Sequence, residues 1–84
     1  MSLRDQITKY NFCPYCNSEL GSDAELDHIY PVKKGGQSTK GNLVYVCPPC
    51  NKNKGAKTLM TFLNENGSDV EKVFNILKKL GKEF

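Results

Sequence analysis

The most regular pattern of apolar and polar positions lies near the carboxyl end of the chain. In residues 68–81, SDVEKVFNILKKLG, apolar side chains recur at helical spacing, which predicts an amphipathic helix that ends at Gly81. Ser68 and Glu71 have the spacing of a capping box at its start. The apolar stripe predicted to pack on the rest of the domain consists of Val70, Val73, Phe74, Leu77 and Leu80.

Two further helices are predicted from shorter patterns. Residues 3–10 have the pattern of a short leading helix of modest quality. LMTFLNENG, residues 59–67, predicts a second carboxyl-terminal helix, which Gly67 ends. The chain therefore begins and finishes with helical segments.

The middle of the chain predicts a strand, loop, strand and helix in that order. AELDHI, residues 24–29, alternates apolar and polar positions up to Pro31, and NLVYVC, residues 42–47, is rich in β-branched and aromatic side chains. The segment PPCNKNKG follows, where Pro49 suits the first turn of a helix and Gly55 suits its end. Together with the flanking helices, these elements predict a small α+β domain.

The four cysteines form two pairs, Cys13 with Cys16 and Cys47 with Cys50, each with two intervening residues. This spacing lets one tight turn deliver two thiolates to one tetrahedral ion, so the pairs predict a structural zinc site. Two disulfides or a thioredoxin-like redox pair are the alternatives, but a redox motif does not need two matched pairs. Zinc would also stabilise a chain of 84 residues, whose core alone is marginal.

Thirty residues separate Cys16 from Cys47, which is more than an ordinary four-cysteine site requires. A complete substructure is therefore predicted between the two halves of the zinc site. His28, the only histidine of the chain, lies within that insert.

The composition of the chain limits the cellular locations and binding partners that are compatible with it. Only 38% of the residues are hydrophobic, no apolar run is long enough to span a membrane, and the amino terminus lacks the apolar stretch of a secretory signal. We therefore expect a soluble, cytoplasmic protein without a membrane partner. The formal charge of +3 falls by two when four thiolates bind one Zn²⁺, so overall basicity says little about an anionic partner.

The distribution of charge along the chain is more informative about a binding partner than the net charge is. Between His28 and Asn64 there is no acidic residue, whereas the preceding segment is acidic. The lysines of this stretch are Lys33, Lys34, Lys40, Lys52, Lys54 and Lys57. A solvated lysine surface would explain any one of them, but as a group they favour a phosphate backbone as partner.

An ordered set of motifs in residues 13–57 resembles the HNH endonucleases, in the variant whose last motif residue is Asn. The set comprises Asp27-His28-Ile29-x-Pro31, Gly35-Gly36, Gly41-Asn42-Leu43 and Cys47-x2-Cys50-Asn51-x2-Lys54. The resemblance implies the ββα-metal, or His-Me finger, fold for residues 24–57 within a single domain of residues 1–84, with carboxyl-terminal helices over about 58–81. It also implies DNA as substrate and one catalytic divalent cation.

The residues can be assigned roles from the chemistry of phosphodiester hydrolysis. His28 suits a general base near neutral pH, and Asp27 and Asn51 offer oxygen ligands to Mg²⁺ or another divalent cation. Asn53 is the competing ligand, but it would lie about 200° from Asn51 around a helix. Because adjacent strand residues point to opposite faces, Asp27 and His28 must lie at a twisted strand end to share one phosphate.

The remaining motif residues are predicted to support the site. Asn42 suits a turn residue that bonds its own backbone, and the resemblance implies that it braces the loop and holds the histidine in place. Lys54, three residues after Asn51, is predicted to meet the phosphate. The residues expected to contact nucleic acid are Lys33, Lys34, Lys40, Lys54 and Lys57.

Two function classes follow. The first is a metal-dependent endonuclease that cuts DNA and, by the resemblance, leaves 5′-phosphate and 3′-hydroxyl ends. The second is a non-catalytic zinc module that binds nucleic acid or protein through its lysines. The presence of Asp27, His28 and Asn51 together favours the nuclease.

Overall fold

The computed structural model describes residues 3–84, which fold into four helices around one two-stranded antiparallel sheet. Short 3-10 turns occur at Val32–Lys34 and Lys40–Asn42. The elements in chain order are α1 (Leu3–Ile7), β1 (Glu25–His28), β2 (Leu43–Val46), α2 (Pro48–Lys54), α3 (Leu59–Glu65) and α4 (Val70–Lys79). The α+β class and the predicted order of elements are confirmed.

The hairpin fixes which residues of β1 and β2 face one another. Glu25 pairs with Val46, and at the other end His28 pairs with Leu43. His28 is thus the last residue of its strand, as it must be if its side chain and that of Asp27 are to reach one site. The loop between the strands runs from Ile29 to Asn42, and the backbone N–H of Ile29 donates to the Asn42 carbonyl at 2.8 Å.

Two helix boundaries differ from the predictions. Helix α1 ends at Ile7 rather than at residue 10, since Thr8 is buried and its hydroxyl accepts a hydrogen bond from the Tyr45 backbone N–H at 3.4 Å. Helix α4 is capped by Asp69, whose carboxylate accepts from the Lys72 N–H at 3.1 Å. The capping box from Ser68 was therefore wrong by one residue.

The backbone N–H of Ser68 belongs to the end of the preceding helix, because it donates to the Leu63 carbonyl at 3.0 Å. This bond closes the end of α3 and leaves Asp69 as the first residue able to cap α4. Four members of the predicted apolar stripe pack as expected: Val73 and Leu77 are buried, and Val70 and Phe74 pack against the same core. The fifth, Leu80, caps the end of α4 and is only partly buried.

The core joins the sheet to the carboxyl-terminal helices. Val44 and Val46 of β2 and Leu63 of α3 are completely buried, together with Leu77 of α4. Burial of a large aliphatic side chain contributes about 1.5 to 3 kcal/mol, so these few side chains carry much of the hydrophobic stabilisation. In the described part of the chain, no helix is long and apolar enough to cross a membrane.

The last residues hold the end of the loop that precedes β2. The buried Lys82 ammonium donates to the carbonyls of Ile7 and Lys40, the latter at 2.8 Å, and the Glu83 N–H donates to the Gly41 carbonyl at 2.7 Å. These bonds fix the backbone immediately before Asn42. The carboxyl-terminal segment therefore supports the loop as well as the core.

We expect Gly36→Ala to destabilise the protein by about 1 to 3 kcal/mol, the usual cost of overpacking. A Cβ at this position would lie 1.8 Å from the Tyr30 carbonyl oxygen, so the loop backbone would have to move. Gly35, in contrast, has φ +98° and open space around it. Urea unfolding measures the effect, with Gly35→Asn as control, since asparagine tolerates left-handed backbone and should cost less. Equal stability of Gly36→Ala and the wild type would contradict the close approach.

Candidate functional site

The four cysteines converge from two separate turns. Cys13 and Cys16 lie in a turn closed by a bridge between Phe12 and Glu19, and Cys47 and Cys50 stand at the start of α2. The four sulfur atoms all lie within 4.8 Å of one another. A tetrahedral zinc thiolate site with bonds of about 2.3 Å places its sulfurs about 3.8 Å apart, so the cluster could hold a metal such as zinc.

The cysteines are free thiols, and the Sγ atoms of Cys16 and Cys47 are 3.5 Å apart, too far for a disulfide. Burial raises the pKa of Cys13 to about 11. For Cys16 burial also raises the pKa, but the hydrogen bonds with Ser18, Cys47 and Cys50 together outweigh it and lower the pKa to about 7. A bound dication would supply the charge that makes all four thiolates favourable. The donor set therefore fits zinc.

A cleft of about 330 Å³ lies between β1, the following loop and α2. The three residues predicted for catalysis, Asp27, His28 and Asn51, all line it. The other lining residues are Leu26, Pro31, Val32, Lys33, Gly55 and Ala56. The structure thus brings the end of β1 and the first turns of α2 together around one concave site.

His28 is half-buried at the edge of this cleft. Its Nε2 atom lies 2.8 Å from the Ser38 hydroxyl, a residue of the loop that follows Gly36. When Nε2 carries the proton and donates to Ser38, Nδ1 is left as the basic nitrogen. Ser38 thereby sets the orientation of the imidazole.

Asp27 lies on the opposite side of the strand and is only 5% exposed. Its Oδ2 atom accepts a hydrogen bond from the Tyr15 hydroxyl at 2.7 Å and lies 3.3 Å from the Lys54 ammonium. Burial raises the pKa of Asp27 above its usual value, although Tyr15 and Lys54 oppose this. A bound cation would further favour the ionised carboxylate.

Asn51 reaches the cleft from α2. Its side-chain Nδ2 donates to the Glu25 carboxylate at 2.9 Å. Because the amide nitrogen is held by this acceptor, the amide oxygen is the atom available to a cation. Glu25 lies two residues before Asp27 on β1, on the same face of the strand.

Asn42 is buried and bonds the loop backbone at three points. Its Oδ1 accepts from the Tyr30 N–H at 2.7 Å, and its Nδ2 donates to the carbonyls of Tyr30 at 3.1 Å and Gln37 at 2.8 Å. Both ends of the loop are thereby joined close to His28. This geometry fits the bracing role predicted for Asn42.

Lys54 is where the structure departs from the expected nucleic-acid surface. Its side chain is fully buried, and its ammonium pairs with Asp27 and donates to the His28 carbonyl at 2.9 Å. The helical spacing from Asn51 predicted the face of α2 on which Lys54 lies, but not how deeply its side chain is buried. A buried lysine needs hydrogen-bonding and charged partners of this kind. The Lys54 ammonium therefore contacts β1 and is not exposed to solvent.

The other predicted lysines are exposed. Lys33 lines the cleft of Asp27, His28 and Asn51, and Lys34 and Lys57 line a neighbouring cleft of about 480 Å³ that shares Gly55 and Ala56 with it. Lys57 also forms a surface ion pair with Glu65 at 3.1 Å. Lys40 is exposed but lines neither of these two clefts.

Three polar residues that touch the predicted site, namely Tyr15, Glu25 and Ser38, were not predicted from the sequence. Alternation along β1 could have placed Glu25 on the face of Asp27. Tyr15 and Ser38 reach their partners across 12 and 10 residues of sequence, and no local pattern marks those contacts. These two contacts could be identified only from the tertiary structure.

Comparison with known proteins agrees with this geometry. A family model described as HNH endonuclease matches residues 13–57. A CRISPR-associated endonuclease Cas9 from Corynebacterium diphtheriae is 47% identical over 45 residues, covering 51% of this chain and 4% of the Cas9. A Cas9 from Actinomyces naeslundii is 43% identical over 44 residues, with 50% and 4% covered.

A solved structure extends the likeness to nearly the whole chain. The crystal structure of the Type II-C Cas9 enzyme from Actinomyces naeslundii matches with a TM-score of 0.76 and 26% identity. The match covers 94% of this chain and 10% of that one. The chain therefore spans only a small part of the relatives that it matches.

Proposed function

Because this chain belongs to the HNH endonuclease family, we propose that it is a metal-dependent nuclease that hydrolyses phosphodiester bonds in DNA. The observation that carries the proposal is the common cleft of Asp27, His28 and Asn51. In this proposal, residues 1–84 act as one HNH nuclease domain, with the ββα-metal core within residues 24–57. A cytoplasmic location is part of the proposal, because a reducing compartment would keep the four cysteines available as metal ligands.

His28 is the general base. With Nε2 oriented by Ser38, Nδ1 accepts the proton of the attacking water at the mouth of the cleft. Attack of the water oxygen on phosphorus breaks the bond to the 3′-oxygen, which leaves and takes a proton from solvent water, so that 5′-phosphate and 3′-hydroxyl ends result. Asn42 keeps the base in place through its bonds to the loop.

Asp27 and Asn51 would hold the divalent cation, Mg²⁺ or a substitute, through a carboxylate and an amide oxygen. When bound, the cation would supply positive charge to offset the negative charge on the phosphoryl oxygens. Two protein ligands leave room for water and the scissile phosphate, as Mg²⁺ prefers. With structural zinc bound, the cysteine cluster would fix the start of α2 and so place Asn51.

Cleavage of supercoiled plasmid in Mg²⁺ or Mn²⁺ tests this function. We expect nicked or linear product that disappears when the divalent cation is withheld while zinc stays bound. DNA binding without any cleavage would instead favour the non-catalytic zinc module.

The exposed lysines beside the cleft are proposed to bind the phosphate backbone. We expect the double substitution Lys33→Ala with Lys34→Ala to weaken DNA binding and to lower the slope of log Kd against log salt concentration by about 0.9 for each phosphate that is no longer neutralised. Fluorescence anisotropy between 50 and 200 mM salt, roughly the range where such interactions dominate, measures the slope.

The matched control is Lys78→Ala, which removes an exposed lysine from α4 away from both clefts. It should leave the salt slope nearly unchanged. Equal slopes for the wild type and the double variant would exclude this surface as the one that binds the backbone.

A further inference from the structure

Tyr15 connects the cysteine cluster to the catalytic cleft. It lies within the first cysteine turn, between Cys13 and Cys16, and is 3% exposed. Its ring packs at 5.5 Å from that of Phe62, and its hydroxyl donates to Asp27 Oδ2 at 2.7 Å. A buried tyrosine hydroxyl requires such a partner, and here the partner is the proposed cation ligand.

The two donors on Asp27 both lie at the same oxygen. Tyr15 and Lys54 contact Oδ2, which leaves Oδ1 as the oxygen that a further ligand could bind. The terminal torsion of an aspartate side chain is otherwise broad, and a fixed donor on one oxygen removes that freedom. The carboxylate is thereby presented to the cleft in one orientation.

We propose that Tyr15 is a positioning residue for the catalytic cation: its hydroxyl holds Oδ2 of Asp27 and so directs Oδ1 to the metal. This inference rests on the proposed function, since it takes Asp27 as the cation ligand. It adds a residue to the three predicted for catalysis, and it joins the cysteine turn to the cleft through one hydrogen bond.

Tyr15 fits this role better than Lys54 does. The Tyr15 contact has the length of a short charge-assisted hydrogen bond, whereas the Lys54 ammonium is 3.3 Å from Oδ2 and closer, at 2.9 Å, to the His28 carbonyl. Lysine is also a point charge on a flexible stem, while the tyrosine ring is held by Phe62. Lys54 therefore contributes positive charge near Asp27, whereas Tyr15 fixes the orientation of its carboxylate.

Tyr15→Phe removes the hydroxyl and keeps the ring in its packing place. We expect Mn²⁺ affinity, measured by electron paramagnetic resonance without nucleic acid, to fall by about 10- to 100-fold, the usual effect of removing a partner of a metal ligand. The Mn²⁺ concentration for half-maximal plasmid cleavage should rise in parallel, and saturating Mn²⁺ should restore most of the rate. Zinc content and near-ultraviolet circular dichroism should match the wild type.

Tyr45→Phe is the matched control, because it removes a phenol oxygen from a half-buried tyrosine of β2 that does not line the cleft. Unchanged Mn²⁺ affinity in Tyr15→Phe, or equal decreases in both variants, would overturn the inference and leave the nuclease proposal standing. Absence of Mn²⁺ binding by the wild type would overturn both. A Tyr15-dependent Mn²⁺ site in a wild type that cuts no DNA would support the inference and reject the nuclease.

Discussion

Removal of zinc is expected to unfold this protein. The cysteine cluster ties the turn of residues 13–16 to the start of α2, two segments that are 30 residues apart in sequence. A chain of 84 residues buries only about 60 to 65% of its unfolded surface. Zinc binding in small cysteine sites is worth about 10 to 16 kcal/mol, which exceeds the net stability of most such domains.

Circular dichroism at 222 nm during titration with a strong zinc chelator measures this effect. We expect the helical signal to disappear as zinc is withdrawn and to return when Zn²⁺ is added back under reducing conditions. The same chelator already saturated with Zn²⁺ is the control for direct effects on the protein. A full helical signal with no bound zinc would show that the core is sufficient and that the cluster is not a structural site.

The elements that were predicted correctly are those whose ends are marked by residues close to them in the sequence. Helix α2 begins at Pro48 and is closed by Gly55, β1 ends three residues before Pro31, and β2 ends at the residue before Cys47. Side-chain periodicity likewise identified the buried face of α4. In each case the determining interactions lie within a few residues of one another.

The errors arose where a contact with a neighbouring element decided the outcome. Ser68 has the sequence of a helix cap, but its N–H closes α3, so Asp69 caps α4. Lys54 shares a helix face with Asn51, yet the nearby Asp27 carboxylate gives it a buried partner. Local spacing cannot show which residues of another segment will supply such partners.

The likeness to the Actinomyces naeslundii Cas9 structure adds to this account. The family model ends at residue 57, but the structural match covers 94% of the chain and so includes most of α3 and α4. Those helices supply Phe62, Leu63 and Leu77 to the core behind the cleft. The residues that match the family model are thus supported by two helices that lie outside the matched range.

His28→Ala is expected to lower the cleavage rate by about 10²-fold or more while DNA binding is kept. A decrease of that size corresponds to about 2.7 kcal/mol of transition-state stabilisation, which is within the usual range for a general base. The side chain is half-buried at the end of β1, and its hydrogen bond joins it to the Ser38 hydroxyl, so its removal should cost little stability.

Single-turnover cleavage of plasmid in Mg²⁺ measures the rate, at protein concentrations above the Kd of each variant. Zinc content, the circular dichroism spectrum and the DNA Kd serve as controls, so that a lower rate is not confused with a loss of fold or of binding. Since His28 is the only imidazole of the chain, no other histidine can replace it as the base. Equal rates for the variant and the wild type, or a decrease that merely follows weakened DNA binding, would reject His28 as the proton acceptor.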